Sequence, residues 1–235
     1  ALAACDVVGA NVTVPHKSAV LACCDTLTED ARVVGAVNTL TFDDAGVHGD
    51  NTDVAGILDD WARSLDGRTL QRVVVFGTGG AARAAVVAGA RRGARVDVVG
   101  RRTEAAEALA RLAVTCGAPT AAGHGLEGSE HDMLGAIGSA DVVVNATPLG
   151  MANDVLPDPF QHLTAGQVAH DLVYVPRHTP FLQAAAARGA DTLGGIGMLV
   201  GQAARSLERW TGCTAPVEVM RAAADVALAA SEDRA

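Results

Sequence analysis

Lysine is almost missing from this chain: among 235 residues there are seventeen arginines and a single lysine, Lys17. Arginine stays protonated inside proteins whereas a lysine amine can release its proton, so the lone lysine stands either by chance in an arginine-rich chain or at a position where a titratable amine matters. No run of about eighteen uninterrupted apolar residues occurs, which disfavours a membrane-spanning helix. The opening residues, ALAACDVV, lack a basic stretch ahead of an apolar one and do not read as a secretory signal. No basic stripe is present and the formal net charge is −9, which disfavours a nucleic-acid partner. A local cationic pocket would still admit a small anionic ligand. Cys5, Cys23, Cys24, Cys116 and Cys213 form no C-x-x-C and no metal-ligand spacing, the pattern of free thiols in a reducing cytoplasm, and no metal site is expected.

What the chain does contain is 49% hydrophobic and 19% charged residues. That composition suits a compact fold of one large or two small domains and excludes disorder. Ala10–Val14 alternates as a short strand stopped by Pro15, so that Asn11 and Thr13 face the same way. Val20, Leu21, Cys24 and Leu27 carry helical spacing, predicting a helix over 18–30 with Ser18 as its cap. Gly35–Thr41 reads as a strand, and the turn Asp43–Gly46 predicts a hairpin into Val47–Gly49. A helix follows from Thr52 or Asp53 to about Ser64. From Arg72 onward strands alternate with helices: strands at Val73–Phe76, Arg95–Val99, Asp141–Asn145 and Val168–Val173, helices at 81–92 and 103–113. This is an α/β pattern with a parallel sheet and crossover helices. Residues 114–135 are Gly-rich and weakly patterned. Helices at Met198–Trp210 and Pro216–Ala230 close the chain.

The strand Val73–Phe76 runs straight into Gly77-Thr78-Gly79-Gly80-Ala81-Ala82 and then a helix. The first glycine permits the tight turn, the second lets the backbone approach a pyrophosphate, and the small Ala82 lets helix and strand pack closely. The helix N-terminus adds unpaired N–H groups for phosphate. Where the second strand ends, an NAD site would carry a carboxylate; this chain has Gly100-Arg101-Arg102 instead, and two guanidiniums suit the 2′-phosphate of NADP.

Polar groups recur in three other places: Asn11 to Lys17, Ala36 to Thr39, and Gly49 to Asp53. NVTVPHK, AVNTL, GDNTD, GTGGAARA, NATPLGM, DLVYVPRHTPFL and GMLVGQA resemble, in order and spacing, the shikimate dehydrogenases. The resemblance spans nearly the whole chain. It implies an NADP-binding Rossmann domain (54–196) and an α/β substrate domain (1–53 with 197–235) around a cleft. It further implies Lys17 as the catalytic lysine with Asp53 as its partner carboxylate. Thr13, Asn38, Asp53, Tyr174 and Gln202 match substrate-binding positions. Gly77, Thr78, Gly79, Gly80 and Ala81, with Gly100, Arg101 and Arg102, match the cofactor loops, while Leu172 and Gly195 fall where the nicotinamide is held.

The expected activity is reversible, NADP(H)-dependent reduction of 3-dehydroshikimate to shikimate, a cytoplasmic step of the shikimate pathway towards aromatic amino acids, by a monomer or homodimer. A lysine ammonium beside the carbonyl oxygen can stabilise the developing alkoxide and then protonate it. Lys17 and Asp53 would act as a pair, so a pH profile belongs to both. Rival readings are a quinate/shikimate or aminoshikimate dehydrogenase, an NADP-sensing regulatory module with a dead site, and an enzyme resembling methylenetetrahydrofolate dehydrogenase. The sequence departs from the family in two ways. The family opens with a βα segment bearing a Ser-x-Ser pair, and the expectation is that such a segment precedes Ala1 in the full protein. The usual Asn-Arg-Thr clamp reads Gly100-Arg101-Arg102, and a second clamp arginine is replaced by Ala105, which predicts a softer preference for NADP.

Overall fold

The computed structural model describes residues 6–65, 67–126, 130–152 and 154–232. Two sheets organise them. The first is built early in the chain from β1 (Gly9–Asn11), β2 (Thr26–Leu27), β3 (Thr39–Asp43) and β4 (Gly46–Asp50), in the order β1-β3-β4-β2. The expected hairpin is there: β3 and β4 pair antiparallel from Thr39↔Asp50 to Asp43↔Gly46. The second sheet is wholly parallel. Its strands are β5 (Arg72–Phe76), β6 (Arg95–Gly100), β7 (Ala121–Gly125), β8 (Val142–Asn145), β9 (Val168–Asp171) and β10 (Asp191–Leu193), arranged β10-β9-β8-β5-β6-β7. Numbered within that sheet, the order is the doubly wound one of dinucleotide-binding folds, with the switch point between β5 and β8.

The valine run in β5 explains why this strand is central. Val73 and Val75 pack on one face with Val54, Ile57 and Trp61, while Val74 and Phe76 pack on the other with Phe160 and Phe181. A strand buried on both faces has no use for alternation, hence its continuous apolar run. Helices α3 (Gly80–Arg91) and α4 (Thr103–Thr115) cross over between β5, β6 and β7. The described residues of region 114–135 include the end of α4, strand β7 and the start of α5 (Glu130–Gly138). Two further elements, α6 (Pro180–Ala187) and β10, extend the alternation beyond what its periodicity announces. The cap signal for α6 is nevertheless in the sequence: Thr179 Oγ1 accepts from Leu182 N–H, with Pro180 in the first turn.

The helix predicted over 18–30 does not form. Ala19–Cys23 is a 3-10 turn, Thr26–Leu27 is strand β2, and the α-helix is α1 (Glu29–Val34). Ser18 makes no capping bond there, whereas Thr28 accepts from Ala31 N–H at 3.3 Å and Gly35 closes the helix at φ 65°. The apolar spacing had a different cause: Val20, Leu21, Cys24 and Leu27 all pack around Ala31, Val37 and Leu40. Likewise β1 ends at Asn11, so Thr13 lies past the strand and the shared-face argument lapses there. Cys5 lies outside the described residues; Cys23, Cys24, Cys116 and Cys213 are free thiols. Among the described residues no helix is long and apolar enough to cross a membrane.

Helix α2 (Asp53–Ser64) ties the two sheets together. Its Gly56 meets α7 (Ile196–Thr211) at Gly201; a Cβ on Gly56 would stand 2.8 Å from the Met198 carbonyl oxygen and 2.9 Å from the Gln202 nitrogen. Only a glycine pair lets these helices approach so closely. The last helix, α8 (Val217–Glu232), packs against α7 and carries Arg221 to within 3.6 Å of Asp60 on α2.

On its other side α2 presents Trp61 to β9, where the indole Nε1 donates to His170 Nδ1 at 3.0 Å. The imidazole therefore carries its proton on Nε2, which faces Asp60 at 3.7 Å and has no hydrogen-bond partner. Full burial lowers the His170 pKa to about 4. A histidine depressed in this way contributes stability above its unfolded value of 6.5, lost as pH falls through about 4. We expect His170→Gln, which keeps an acceptor for Trp61 but cannot titrate, to remove on the order of 3 kcal/mol of acid sensitivity. Urea unfolding at a series of pH values checks this.

Candidate functional site

The site begins at the N-terminus of α2. Asp53 is its first residue and is fully buried, held where the helix dipole favours a negative charge. Its backbone N–H donates to Asn51 Oδ1 at 3.1 Å, and Asn51 in turn donates to the Ala36 carbonyl at 2.9 Å. Lys17 arrives from the loop after β1, its carbonyl tied to Val37 N–H at 2.8 Å. Its Nζ donates to Asp53 Oδ2 at 2.7 Å. An ammonium has three donors; among the described residues only Asp53 accepts one, which leaves two for a ligand oxygen.

Asn38 stands behind this pair. Its Nδ2 contacts Asp53 Oδ1 at 2.9 Å, Gln202 Oε1 at 2.8 Å and Thr52 Oγ1 at 3.0 Å, and its Oδ1 accepts from Thr52 N–H at 2.8 Å. The buried Asn38 thus acts as the junction of the first sheet, α2 and α7. Ser206, not anticipated from sequence, completes the network by meeting Asn11 Nδ2 at 3.0 Å and Thr39 Oγ1 at 2.8 Å. Its position four residues after Gln202, on the same face of α7, is the one signal that could have found it. Thr13 and Tyr174 stand apart: both are exposed, and neither side chain has a hydrogen bond to a described residue. An open cavity of about 690 Å³ borders Asn51 and Thr52 but holds neither Lys17 nor the glycine turn. Its arginines are already engaged, Arg209 with Asp50 at 2.6 Å and Arg205 with Asp59 at 2.9 Å.

The glycine turn lies beside the Lys17–Asp53 pair. A Cβ placed on Gly80 would stand 3.7 Å from Lys17 Cδ and 3.8 Å from the Ala36 methyl. Gly77 adopts φ 120°, and a Cβ there would come within 2.9 Å of the Ala146 carbonyl oxygen. Gly79 caps α3 without any side-chain bond and has open space where a Cβ would be. Ala82 is fully buried, as the close helix–strand approach requires. A bare helix N-terminus with an unobstructed glycine in front of it fits a pyrophosphate. We expect Gly77→Val to weaken nucleotide binding by about ten- to a hundredfold through backbone strain and the clash at Ala146; titration of protein fluorescence with NADPH measures it.

At the end of β6, Arg101 and Arg102 are exposed and make no ion pair with a described residue. A carboxylate does exist in this strand, but Asp97 sits in its middle, bound by Arg72 at 2.7 Å, Arg95 at 3.0 Å and His124 at 3.3 Å. Burial pushes its pKa up, and those hydrogen bonds outweigh burial and hold it below the ordinary value. It cannot serve a ribose. Gly100 has a local cause: a Cβ there would lie 2.7 Å from Thr78 Cγ2, so the threonine in the glycine turn occupies the space a side chain would need. Leu172 and Gly195 come together, because a Cβ on Gly195 would meet the Leu172 backbone, 2.8 Å from its carbonyl carbon.

Two family models match segments of the chain. Residues 1–40 match the profile of the shikimate dehydrogenase substrate binding domain, and residues 195–224 that of the shikimate 5'-dehydrogenase C-terminal domain. The chain is 43% identical over 226 residues to the shikimate dehydrogenase (NADP(+)) of Salinibacter ruber, covering 89% of this chain and 75% of that one. The shikimate 5-dehydrogenase of Thermus thermophilus, solved in complex with NADP(H) and shikimate, superposes with a TM-score of 0.81 at 33% identity, covering 94% of this chain and 79% of that one. Quinate dehydrogenase from Corynebacterium glutamicum, in complex with NAD, gives 0.85 at 32% identity, covering 97% and 80%.

Proposed function

The chain belongs to the shikimate dehydrogenase family, and on that premise we propose that it reduces 3-dehydroshikimate reversibly to shikimate with NADPH, in the cytoplasmic route to aromatic amino acids. The observation that carries this reading is the 2.7 Å Lys17–Asp53 contact lying against the glycine turn. A proton source and a nucleotide-phosphate cradle are thereby neighbours.

When bound, NADPH supplies the hydride. The chain's residues do the rest. Gly77 to Ala81 and the N-terminus of α3 would hold the pyrophosphate, with Gly100, Arg101 and Arg102 around the 2′-phosphate and Leu172 and Gly195 beneath the nicotinamide. Residues 54–196 form the cofactor domain in this reading, and 1–53 with 197–235 the substrate domain. Asp53 fixes one N–H of Lys17 and leaves the other two for the substrate's carbonyl oxygen and a neighbouring hydroxyl. As the carbonyl carbon is reduced, charge grows on that oxygen; the ammonium stabilises it and then donates the proton. In the reverse direction Lys17 takes the proton back. Thr13, Asn38, Asp53, Tyr174 and Gln202 are the proposed substrate contacts. The Asn38–Gln202 bond fixes which way each amide points and so which ends face the ligand.

The test is loss of the reduced-nicotinamide absorbance with 3-dehydroshikimate or 3-dehydroquinate, each with NADPH and with NADH. The highest kcat/KM is expected for 3-dehydroshikimate with NADPH. Preference for 3-dehydroquinate, or silence with every pair, overturns the assignment.

A further inference from the structure

One buried carboxylate has no role in the chemistry above. Asp171 ends β9 and is fully buried. Its Oδ1 accepts from Asn145 Nδ2 at 2.9 Å and from Val173 N–H at 3.0 Å, and its Oδ2 accepts from Thr179 Oγ1 at 2.6 Å. All three donors are neutral. Burial raises its pKa to about 6 in spite of them.

No cation among the described residues is paired with it. In the loop that follows, Arg177 is engaged with Asp225 and His178 is exposed. His170 is bonded to Trp61 on the opposite face of the sheet. On β10, Asp191 is engaged with Arg68. β8 contributes Asn145 and α6 its capping Thr179; neither titrates, and residues 145–151 include no charged side chain. A buried carboxylate without a cation is costly unless something else compensates it.

The three neutral donors offset part of that cost, and the place of Asp171 in the sheet says what could offset the rest. Asn145 is level with Phe76, and Asp171 with Asn145. Asp171 therefore lies two strands, about 10 Å, from the glycine turn. On the other side of that turn β6 ends in Gly100, Arg101 and Arg102, whose charges suit the adenosine phosphate. In the cofactor assignment proposed above, a dinucleotide crossing the switch point would have its nicotinamide half held on the β8 and β9 side, by Leu172 and Gly195. We propose that the Asp171 carboxylate is the fixed counter-charge for the oxidised nicotinamide ring, favouring the cationic NADP+ over the uncharged ring of NADPH. This inference rests on the cofactor assignment made above.

A fixed negative charge in a low-dielectric site lowers the free energy of a cationic ring and does little for a neutral one. By linkage, NADP+ draws Asp171 toward its ionised form, so NADP+ binding strengthens as pH rises through the range where Asp171 titrates. NADPH binding gains nothing from that ionisation. The cofactor's 2′-phosphate also titrates, but both forms carry it and it cancels in their ratio.

The experiment measures Kd for NADP+ and for NADPH separately, by quenching of protein fluorescence, from about pH 5 to about pH 8. Wild-type protein, Asp171→Asn and Thr179→Val are compared. In the wild type, Kd(NADP+)/Kd(NADPH) should fall about tenfold across that range. In Asp171→Asn the ratio should be flat and about tenfold higher at neutral pH. Thr179→Val removes a donor to the ionised form and should move the midpoint to higher pH. A flat wild-type ratio, or an Asp171→Asn protein that weakens both forms equally, overturns the proposal. Should Asp171→Asn fail to fold, the wild-type pH dependence and the Thr179→Val midpoint decide it. Failure of the wild type to bind either form would instead sink the cofactor assignment, which the flat-ratio outcome leaves standing.

Discussion

Replacing Lys17 with methionine should lower turnover by about a hundred- to ten-thousandfold while leaving NADPH affinity within about twofold of wild type. The separation follows from the geometry. The charge-bearing end of Lys17 is directed at Asp53 Oδ2, 2.7 Å away, and the two further N–H groups are the only proton source the pair offers a substrate. The aliphatic stem serves the nucleotide side instead. It packs beside Gly80 in the glycine turn, close enough that a Cβ there would lie 3.7 Å from Lys17 Cδ. Methionine keeps most of that stem, so the turn keeps its packing and the pyrophosphate its cradle. Asp53 would lose its cation but retain the Asn38 bond and the α2 N-terminus, which limits the structural damage. Stopped-flow hydride transfer with a fluorescence titration of NADPH measures the two quantities. Near-normal turnover would remove Lys17 from the mechanism; a parallel loss of cofactor affinity would show that its role is to support the glycine turn.

The fold was legible where one physical requirement dominated a segment. Val73 to Phe76 had to be a doubly buried strand, and the glycines that follow had to be a turn, because no other conformation uses those residues together. Thr28 with Gly35, and Thr179 with Pro180, carry the capping chemistry of α1 and α6, two helices that the apolar spacing did not predict. Legibility failed where two structures share one spacing. Val20, Leu21, Cys24 and Leu27 recur as a helix would have them, yet they reach their common cluster from a 3-10 turn and a strand. Only the partners Ala31, Val37 and Leu40 explain the spacing, and those partners are a tertiary fact.

The site divides the same way. Lys17 stood out by rarity, but its pairing with Asp53 came from the resemblance to the family, because an acidic residue at a helix start is by itself only a favourable end charge. Ser206 and Asn11 could not be joined, since they are 195 residues apart and meet only after α7 crosses α2 at Gly56 and Gly201. Trp61, His170 and Asp60 form a buried group for the same reason, the indole and its imidazole acceptor being 109 positions apart in sequence. Gly100 is a subtler case. The family pattern gave it meaning only for the grip on the cofactor; in three dimensions it also has a packing role, since a Cβ there would lie 2.7 Å from Thr78 Cγ2.

Asn38→Asp should abolish most activity without changing the size or shape of the side chain. In the wild type Asn38 Nδ2 donates towards Asp53 Oδ1 at 2.9 Å and Gln202 Oε1 at 2.8 Å, both acceptors. An aspartate puts an oxygen there. Facing Asp53, it sets two carboxylate oxygens at hydrogen-bond distance in a buried site, and like-charge juxtaposition of that kind costs several kcal/mol. Relief can come in two ways, and both harm the reaction. If Asp53 turns away, the ammonium of Lys17 loses the contact that aims it. If Lys17 bridges both carboxylates, N–H groups otherwise free for the substrate oxygen are consumed. Either route should lower kcat by about a hundred- to a thousandfold near neutral pH, with partial recovery in acid as the added carboxylate is protonated. Asn38→Ser, which restores a small donor without the charge, should lose less than the aspartate variant. A kcat–pH profile of the three proteins decides the matter: equal losses in both variants at every pH would mean that Asn38 serves shape alone and that its donors do not hold the Lys17–Asp53 pair in place.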